Sequence, residues 1–114
     1  MSNSTPEETA PYGGPTTPTP PTSSNIKRVR THHLRDLKAR GERFTMLTSY
    51  DQLTAQIFDE AGIEMLLVGD SASNNVLGNA TSLPITVDEL IPMTRAVSRS
   101  VNRAMVVGDL PFGS

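Results

Sequence analysis

The sequence contains no cysteine, which excludes both a disulfide framework and a metal site built on thiolates. It also lacks any apolar run close to the roughly 20 residues that a membrane-spanning helix needs. The short motifs of nucleotide binding, serine hydrolysis and zinc hydrolysis are missing too: G-x-G-x-x-G, G-x-x-x-x-G-K-[ST], G-x-S-x-G and H-E-x-x-H. The histidines His32 and His33 are sequence neighbours, so they cannot both face one metal ion on a helix.

The 114 residues and the net charge of −2 are those of one soluble cytosolic domain at most. Within that average the composition changes abruptly. Residues 1–25 hold six of the nine prolines, no Lys or Arg, and little that could be buried. We expect a disordered tail over 1–25 and a folded domain over 26–114. A role of "PTTPTPP" as a ligand for a proline-binding domain is a less favoured alternative to a plain solvated extension.

A basic cluster follows the tail, with seven of the ten Lys and Arg residues between positions 27 and 43. One interpretation is a nucleic-acid surface. We favour the solvated face of a short helix that packs through Leu34 and Leu37 and ends at Gly41. The reasons are that Asp36 and Glu42 dilute the charge, and that no aromatic residue is interleaved for base stacking.

From residue 43 onward, apolar runs at 43–49, 64–69 and 104–108 predict three strands. Two amphipathic helices are predicted between them, and a loop at 71–85 precedes the second. Capping boxes are predicted at Ser49–Gln52 and Thr86–Glu89. The order predicts an α/β fold with parallel strands covered by helices on both faces. The predicted core faces of the two helices are Leu53, Ile57, Phe58 and Ala61, and Leu90, Thr94, Val97 and Val101.

Two aspartates, Asp70 and Asp109, each follow a Val-Gly pair at the carboxyl end of a predicted strand. Ligands bind at that edge of parallel sheets. Neighbouring carboxylates repel each other, and a proton or a divalent cation such as Mg²⁺ would offset the repulsion. Ser71 adds a hydroxyl beside the same site. Simple capping by the two aspartates remains the alternative, but their repeated setting favours a metal or ligand site.

The segments that carry these aspartates resemble the amino-terminal part of the ketopantoate hydroxymethyltransferase family. The resemblance rests on "LLVGDS", on "LG-x-x-x-T-x-LPIT" and on "GDLPF", and it extends over residues 27–114 but not over the tail. It implies the first part, about three βα units, of a (β/α)₈ TIM barrel. The family is cytoplasmic and forms large homo-oligomers, and its partners are small molecules rather than nucleic acid or membrane.

The same resemblance implies a reaction and a set of site residues. The family uses Mg²⁺ to transfer a one-carbon unit from 5,10-methylenetetrahydrofolate to 3-methyl-2-oxobutanoate, giving 2-dehydropantoate for pantothenate biosynthesis. Asp70 and Asp109 match its metal ligands, and together with Ser71 they match positions that contact the 2-oxo acid. The cation would stabilise the enolate that attacks the folate-borne methylene.

The family's general base is expected beyond Ser114, so we assign no catalytic residue within the chain. Glu64 lies at the wrong end of its strand, and Glu89 is occupied in a capping box. Three strands and two helices would also leave strand edges unpaired and apolar faces uncovered. We therefore expect a truncated form of the enzyme that is inactive alone.

Two alternatives stay open at this point. One is another Mg²⁺-dependent 2-oxo-acid barrel of the phosphoenolpyruvate mutase or isocitrate lyase type. The other is a non-catalytic binding module built on the basic stretch, in which Lys27, Arg28 and Arg30 would contact nucleic acid.

Overall fold

The computed structural model describes residues 27–114, which form a three-stranded parallel sheet with helices. The sheet order is β1-β2-β3, as the alternation of strand and helix patterns predicted. The predicted tail over 1–25 lies outside the described residues. The elements are α1 (Thr31–Ala39), β1 (Met46–Thr48), α2 (Gln52–Glu60), β2 (Met65–Val68), α3 (Ala72–Asn75), α4 (Val87–Ser100) and β3 (Met105–Gly108).

The register between β2 and β3 determines how their carboxyl ends meet. Met65 pairs with Met105, and Val68 pairs with Gly108. The backbone N–H of Asp109 then donates to the carbonyl of Val68 at 3.0 Å, which places Asp109 opposite Gly69. The two Val-Gly-Asp segments are therefore offset by one residue and are not aligned side by side.

The core lies on one face of the sheet. Leu66 and Val68 of β2 are fully buried there. On the opposite face of the same strand, Met65 and Leu67 are only half-buried. Within residues 27–114 helices thus cover one face of β2, which differs from the predicted cover on both faces and agrees with the expectation that three strands and two helices leave apolar faces uncovered. The residues from α2, from α4 and from the position directly after α4 that belong to this core are Ala55, Leu90, Val97 and Val101, with Phe58 and Met93 at the margin.

The two predicted capping boxes have different outcomes. At α4 the prediction is confirmed: the Thr86 side chain accepts from the backbone N–H of Glu89, and the Glu89 carboxylate accepts from that of Thr86. At α2 it is wrong, because the backbone N–H of Ser49 donates to Leu67 and extends the sheet ladder. The helix starts two residues later, where the Asp51 side chain accepts from the backbone of Thr54 at 2.8 Å.

Helix α2 also turns a different face to the core from the one predicted. Leu53 and Ile57 are 71% and 62% exposed, whereas Ala55 and Asp59 are buried. The Asp59 carboxylate accepts three backbone hydrogen bonds from residues 102–104, which form the turn before β3. This contact sets the rotation of α2, and the small Ala55 allows the helix to pack closely against α4.

Helix α1 agrees with the favoured interpretation of the basic cluster. Leu34 and Leu37 are half-buried, and the helix ends before Gly41, which has the left-handed φ of 72°. Arg28 donates to the carbonyls of Val101 and Ala104 at 3.3 and 3.2 Å. One of the three cations assigned to nucleic-acid contact is therefore used to hold the chain against the start of β3.

Glu64 lies at the amino-terminal edge of the sheet, opposite the edge that carries Asp70. Its carboxylate accepts from the backbone N–H and the hydroxyl of Thr45 at 2.8 and 2.7 Å. Burial acts to raise its pKa, but the hydrogen bonds from Thr45 and the charge of Arg103 outweigh burial, so the pKa of Glu64 lies below its ordinary value.

A lowered folded-state pKa stabilises the fold above the unfolded pKa of Glu64, and this contribution is lost as the pH falls through the folded value. Glu64→Gln is expected to remove it. The free energy of unfolding of the variant should depend less on pH below the ordinary pKa of 4.5. Because the group is accessible to solvent, the difference should stay below about 1 kcal/mol. Urea titrations across that pH range measure it, with Glu60→Gln as the exposed control; equal acid dependence of wild type and Glu64→Gln would contradict the prediction.

Candidate functional site

The candidate site lies at the carboxyl edge of the sheet, where a polar residue follows the end of each of the three strands. Tyr50 follows β1, Asp70 and Ser71 follow β2, and Asp109 follows β3. Each of these residues is half-buried. Parallel strands end at the same edge, so a sheet of this topology gathers at one place residues that are far apart in the chain.

Asp109 contacts the backbone of Asp70 directly. Its Oδ2 accepts from the backbone N–H of Asp70 at 3.2 Å. The one-residue offset of the strands makes this bond possible, because it places the Asp109 side chain over Gly69. A Cβ atom on Gly69 would lie 3.1 Å from Asp109 Oδ2, closer than ordinary van der Waals contact. A side chain at position 69 would therefore displace the carboxylate by a few tenths of an ångström.

The charge balance at this edge is negative. Within residues 27–114 the salt bridge between Arg40 and Glu42 is the sole ion pair, and neither Asp70 nor Asp109 has a Lys or Arg partner. The same residues contain no group of three or more His, Cys, Asp or Glu side chains that could hold a metal. Two carboxylates with free oxygens form a donor set for a hard cation that takes its other ligands from water or substrate.

Ser71, the third residue predicted from the sequence, bonds through its hydroxyl to another side chain. Its Oγ lies 2.5 Å from the phenolic Oη of Tyr50. The side-chain amide of Asn75 donates to the same Oη at 3.2 Å. Tyr50 was not among the site residues predicted from the sequence. Its position directly after an apolar run, like that of Asp70 and Asp109, is the signal that could have found it.

The segment 71–85, predicted as a loop, begins with the short helix α3 and folds back on itself. The buried hydroxyl of Ser73 donates to the carbonyl of Thr81 at 2.6 Å and accepts from the Asn79 amide at 3.1 Å. Ile85 is buried in the core at the far end. These contacts hold the segment next to Ser71 and so limit the positions open to that residue.

Comparison with known proteins relates this sequence to a family. The sequence model of ketopantoate hydroxymethyltransferase matches residues 28–114. A 3-methyl-2-oxobutanoate hydroxymethyltransferase of Nocardioides sp. is 70% identical over 112 residues, which cover 96% of this chain and 38% of the relative. The enzyme of the same name from Arthrobacter sp. is 63% identical over 95% of this chain and 38% of its own length. That from Leifsonia xyli is 69% identical over 82% and 34%.

The chain spans about 38% of the length of the first two relatives. The family model begins at residue 28, which agrees with a resemblance over residues 27–114, although the alignments with these two relatives extend into residues 1–25. No helix within residues 27–114 is both long enough and apolar enough to cross a membrane.

The match also separates the enzymatic alternatives. It agrees with the motifs "LLVGDS" and "GDLPF" and not with a barrel of the phosphoenolpyruvate mutase or isocitrate lyase type. The family model covers well over half of the sequence and includes every residue of the candidate site. The chain therefore belongs to the ketopantoate hydroxymethyltransferase family.

Proposed function

We propose that this chain binds a 2-oxo acid together with Mg²⁺, as part of an enzyme that transfers a hydroxymethyl group to 3-methyl-2-oxobutanoate. The donor would be 5,10-methylenetetrahydrofolate and the product 2-dehydropantoate, in the cytoplasm. The observation that carries the proposal is the convergence of Asp70, Ser71 and Asp109 at one sheet edge, with Asp109 bonded to the Asp70 backbone. The names of the relatives support the reaction and the acceptor.

The donor set fits Mg²⁺, because this cation takes one or two carboxylates, keeps several waters and leaves positions for substrate oxygens. Asp70 and Asp109 would hold it. When bound, such a cation withdraws charge from a 2-oxo group and makes the neighbouring C–H bond more acidic. The chain itself contributes orientation: the Asp70 backbone N–H holds one oxygen of the Asp109 carboxylate before any ligand arrives.

Ser71 would orient the substrate through a hydrogen bond that its hydroxyl donates to the carboxylate of the 2-oxo acid. The general base would come from outside the described residues. Glu64 is at the opposite edge of the sheet, and the Glu89 carboxylate is bonded to Thr86. Ligand binding is therefore the property of this chain that tests the proposal most directly.

Closure into a (β/α)₈ barrel, and assembly of barrels into a homo-oligomer, are parts of the same proposal. Parallel sheets are normally covered on both faces. Here Met65 and Leu67 are half-buried, Met46 of the edge strand β1 is 42% exposed, and an open groove of about 390 Å³ lies between α4 and the end of β3. Further βα units would cover this face, fill the groove and pair both edges. In this proposal residues 26–114 are part of the barrel and residues 1–25 are an extension.

Calorimetric titration of the purified chain with 3-methyl-2-oxobutanoate tests the proposal. We expect saturable binding with Mg²⁺ present and none after chelation with EDTA. 3-Methylbutanoate, which has the same carbon skeleton but no 2-oxo group, is the matched control and should not show Mg²⁺-dependent binding. Binding of both acids alike, or binding that ignores Mg²⁺, would overturn the proposal.

Gly69→Ala is expected to weaken Mg²⁺ binding about three- to tenfold while leaving the fold intact. The added methyl would stand 3.1 Å from Asp109 Oδ2 and displace the carboxylate by a few tenths of an ångström. Misplacement on that scale weakens a metal site, because the ligands no longer match the cation's geometry. Titration of both proteins with Mg²⁺ measures the effect.

Gly108→Ala is the matched control, since Gly108 precedes the other aspartate. Its added methyl would meet Thr94 at an ordinary 3.5 Å. We expect wild-type Mg²⁺ affinity for this variant. Equal loss in both variants would show that the close approach at Gly69 is not the cause.

A further inference from the structure

The hydroxyls of Tyr50 and Ser71 form a contact that links the ends of two neighbouring strands. Tyr50 follows β1 and Ser71 follows β2, and their oxygens are 2.5 Å apart across 21 residues of sequence. The Tyr50 ring packs against the hydrophobic core, which restricts the position of its hydroxyl. This bond therefore connects a residue anchored in the core to a residue of the candidate site.

The direction of this hydrogen bond follows from the third member of the group. The Asn75 amide nitrogen can only donate, and it donates to Tyr50 Oη at 3.2 Å. The phenol has a single proton, and Ser71 Oγ is its sole hydrogen-bond acceptor within residues 27–114. Tyr50 is therefore the donor and Ser71 the acceptor, because a phenol is more acidic and a stronger donor than an aliphatic hydroxyl, and Tyr50 Oη already accepts from Asn75.

This direction leaves the proton of the Ser71 hydroxyl available. Within residues 27–114 Ser71 Oγ has no bonded side chain or backbone group besides Tyr50. A hydroxyl that accepts from one side has its own proton directed elsewhere, and a hydrogen bond to an anionic acceptor is stronger than one to a neutral group. A carboxylate is the kind of acceptor that such a prearranged donor favours.

We propose that Tyr50 is a positioning residue that makes Ser71 a hydrogen-bond donor to the carboxylate of the 2-oxo acid. The inference rests on the proposed function, because it assigns a role within that same site. Asn75 takes part by donating a hydrogen bond to Tyr50 Oη, which leaves the phenolic proton for Ser71. Tyr50 itself does not contact the substrate in this scheme.

Tyr50→Phe tests the inference, because it removes the hydroxyl and keeps the ring in the core. Binding of 3-methyl-2-oxobutanoate in the presence of Mg²⁺ should weaken about tenfold, the size of one hydrogen bond to a charged group. Ser71→Ala should weaken binding by a similar factor. The double variant should bind no more weakly than Ser71→Ala, because residues that act through one another are not additive.

Two controls separate positioning from damage to the fold. Affinity for Mg²⁺ alone should be unchanged in Tyr50→Phe, because within residues 27–114 the Tyr50 hydroxyl is hydrogen-bonded to Ser71 and Asn75 and to neither carboxylate. Asn74→Ala should leave affinity for the 2-oxo acid unchanged, since Asn74 is on the same short helix but donates to the carbonyl of Ala80. Asn75→Ala should weaken it about two- to fourfold.

The possible outcomes are distinct. Wild-type affinity in Tyr50→Phe, or fully additive effects in the double variant, would overturn the positioning role and leave the proposed function in place. Failure of the wild-type chain to bind the 2-oxo acid with Mg²⁺ would overturn both. A loss of Mg²⁺ affinity in Tyr50→Phe would replace the positioning role with a structural one.

Discussion

Asp59→Ala is expected to lower the free energy of unfolding by about 3 to 4 kcal/mol, the largest stability effect of any single substitution proposed for this chain. The carboxylate is buried and accepts from the backbone N–H groups of Asn102, Arg103 and Ala104 at 2.7, 3.1 and 2.7 Å. Removing it leaves three donors without a partner near the start of β3. Each such loss costs more than an ordinary hydrogen bond contributes. Chemical denaturation followed by circular dichroism measures the change.

The neighbouring residue supplies the control for this prediction. Glu60 is exposed on the same helix, so Glu60→Ala should change stability by less than about 0.5 kcal/mol. Asp59→Asn keeps the side-chain volume and one acceptor oxygen, so it should destabilise the protein less than Asp59→Ala does. If Asp59→Ala fails to fold, the loss of stability can still be measured on Asp59→Asn. A destabilisation by Asp59→Ala no larger than that of Glu60→Ala would show that the contact is unimportant.

Asp109→Asn is expected to weaken Mg²⁺ binding about 100-fold, and Asp70→Asn by a similar factor. Each replacement removes a negative charge and a hard oxygen from a site that has two carboxylates, and affinity follows the charge of the ligands. In the Asp109→Asn variant the side-chain amide oxygen could still accept from the Asp70 backbone, so the fold should be preserved. Titration with Mg²⁺, followed by titration with 3-methyl-2-oxobutanoate, measures both losses.

Asp36→Asn changes the net charge by the same amount on the exposed face of α1, away from the carboxyl edge, and should bind Mg²⁺ as the wild type does. An equal loss in this control would assign the effect to overall charge. Unchanged Mg²⁺ affinity in both Asp70→Asn and Asp109→Asn would contradict the proposal that the cation binds at this edge of the sheet.

The two capping predictions show when local sequence is enough to predict where a helix begins. Thr86 and Glu89 bond to each other, so their pattern contains all the groups involved, and the start of α4 was predicted correctly. Ser49 and Gln52 form an equally good pattern. Ser49 instead bonds to Leu67 of the next strand, a residue that the capping pattern does not include.

The face of α2 was mispredicted for a related reason. Periodicity identifies apolar residues at helical spacing, and Leu53 and Ile57 satisfy it. The rotation of the helix is set by Asp59, whose partners lie 43 to 45 residues further along the chain. A charged residue on a helix is predicted to be exposed to solvent unless its distant hydrogen-bond partners are known.

The sequence by itself determined the succession of strands and helices, their parallel arrangement, and the placement of Asp70, Ser71 and Asp109 at strand ends. These features depend on short-range patterns and on the rule that parallel strands finish at a common edge. Only the tertiary structure decided the one-residue offset of β2 and β3, the pairing of Tyr50 with Ser71, and the Asp59 contact with the turn before β3. Those features depend on hydrogen bonds between residues 21 to 45 positions apart, which form only when the chain has packed.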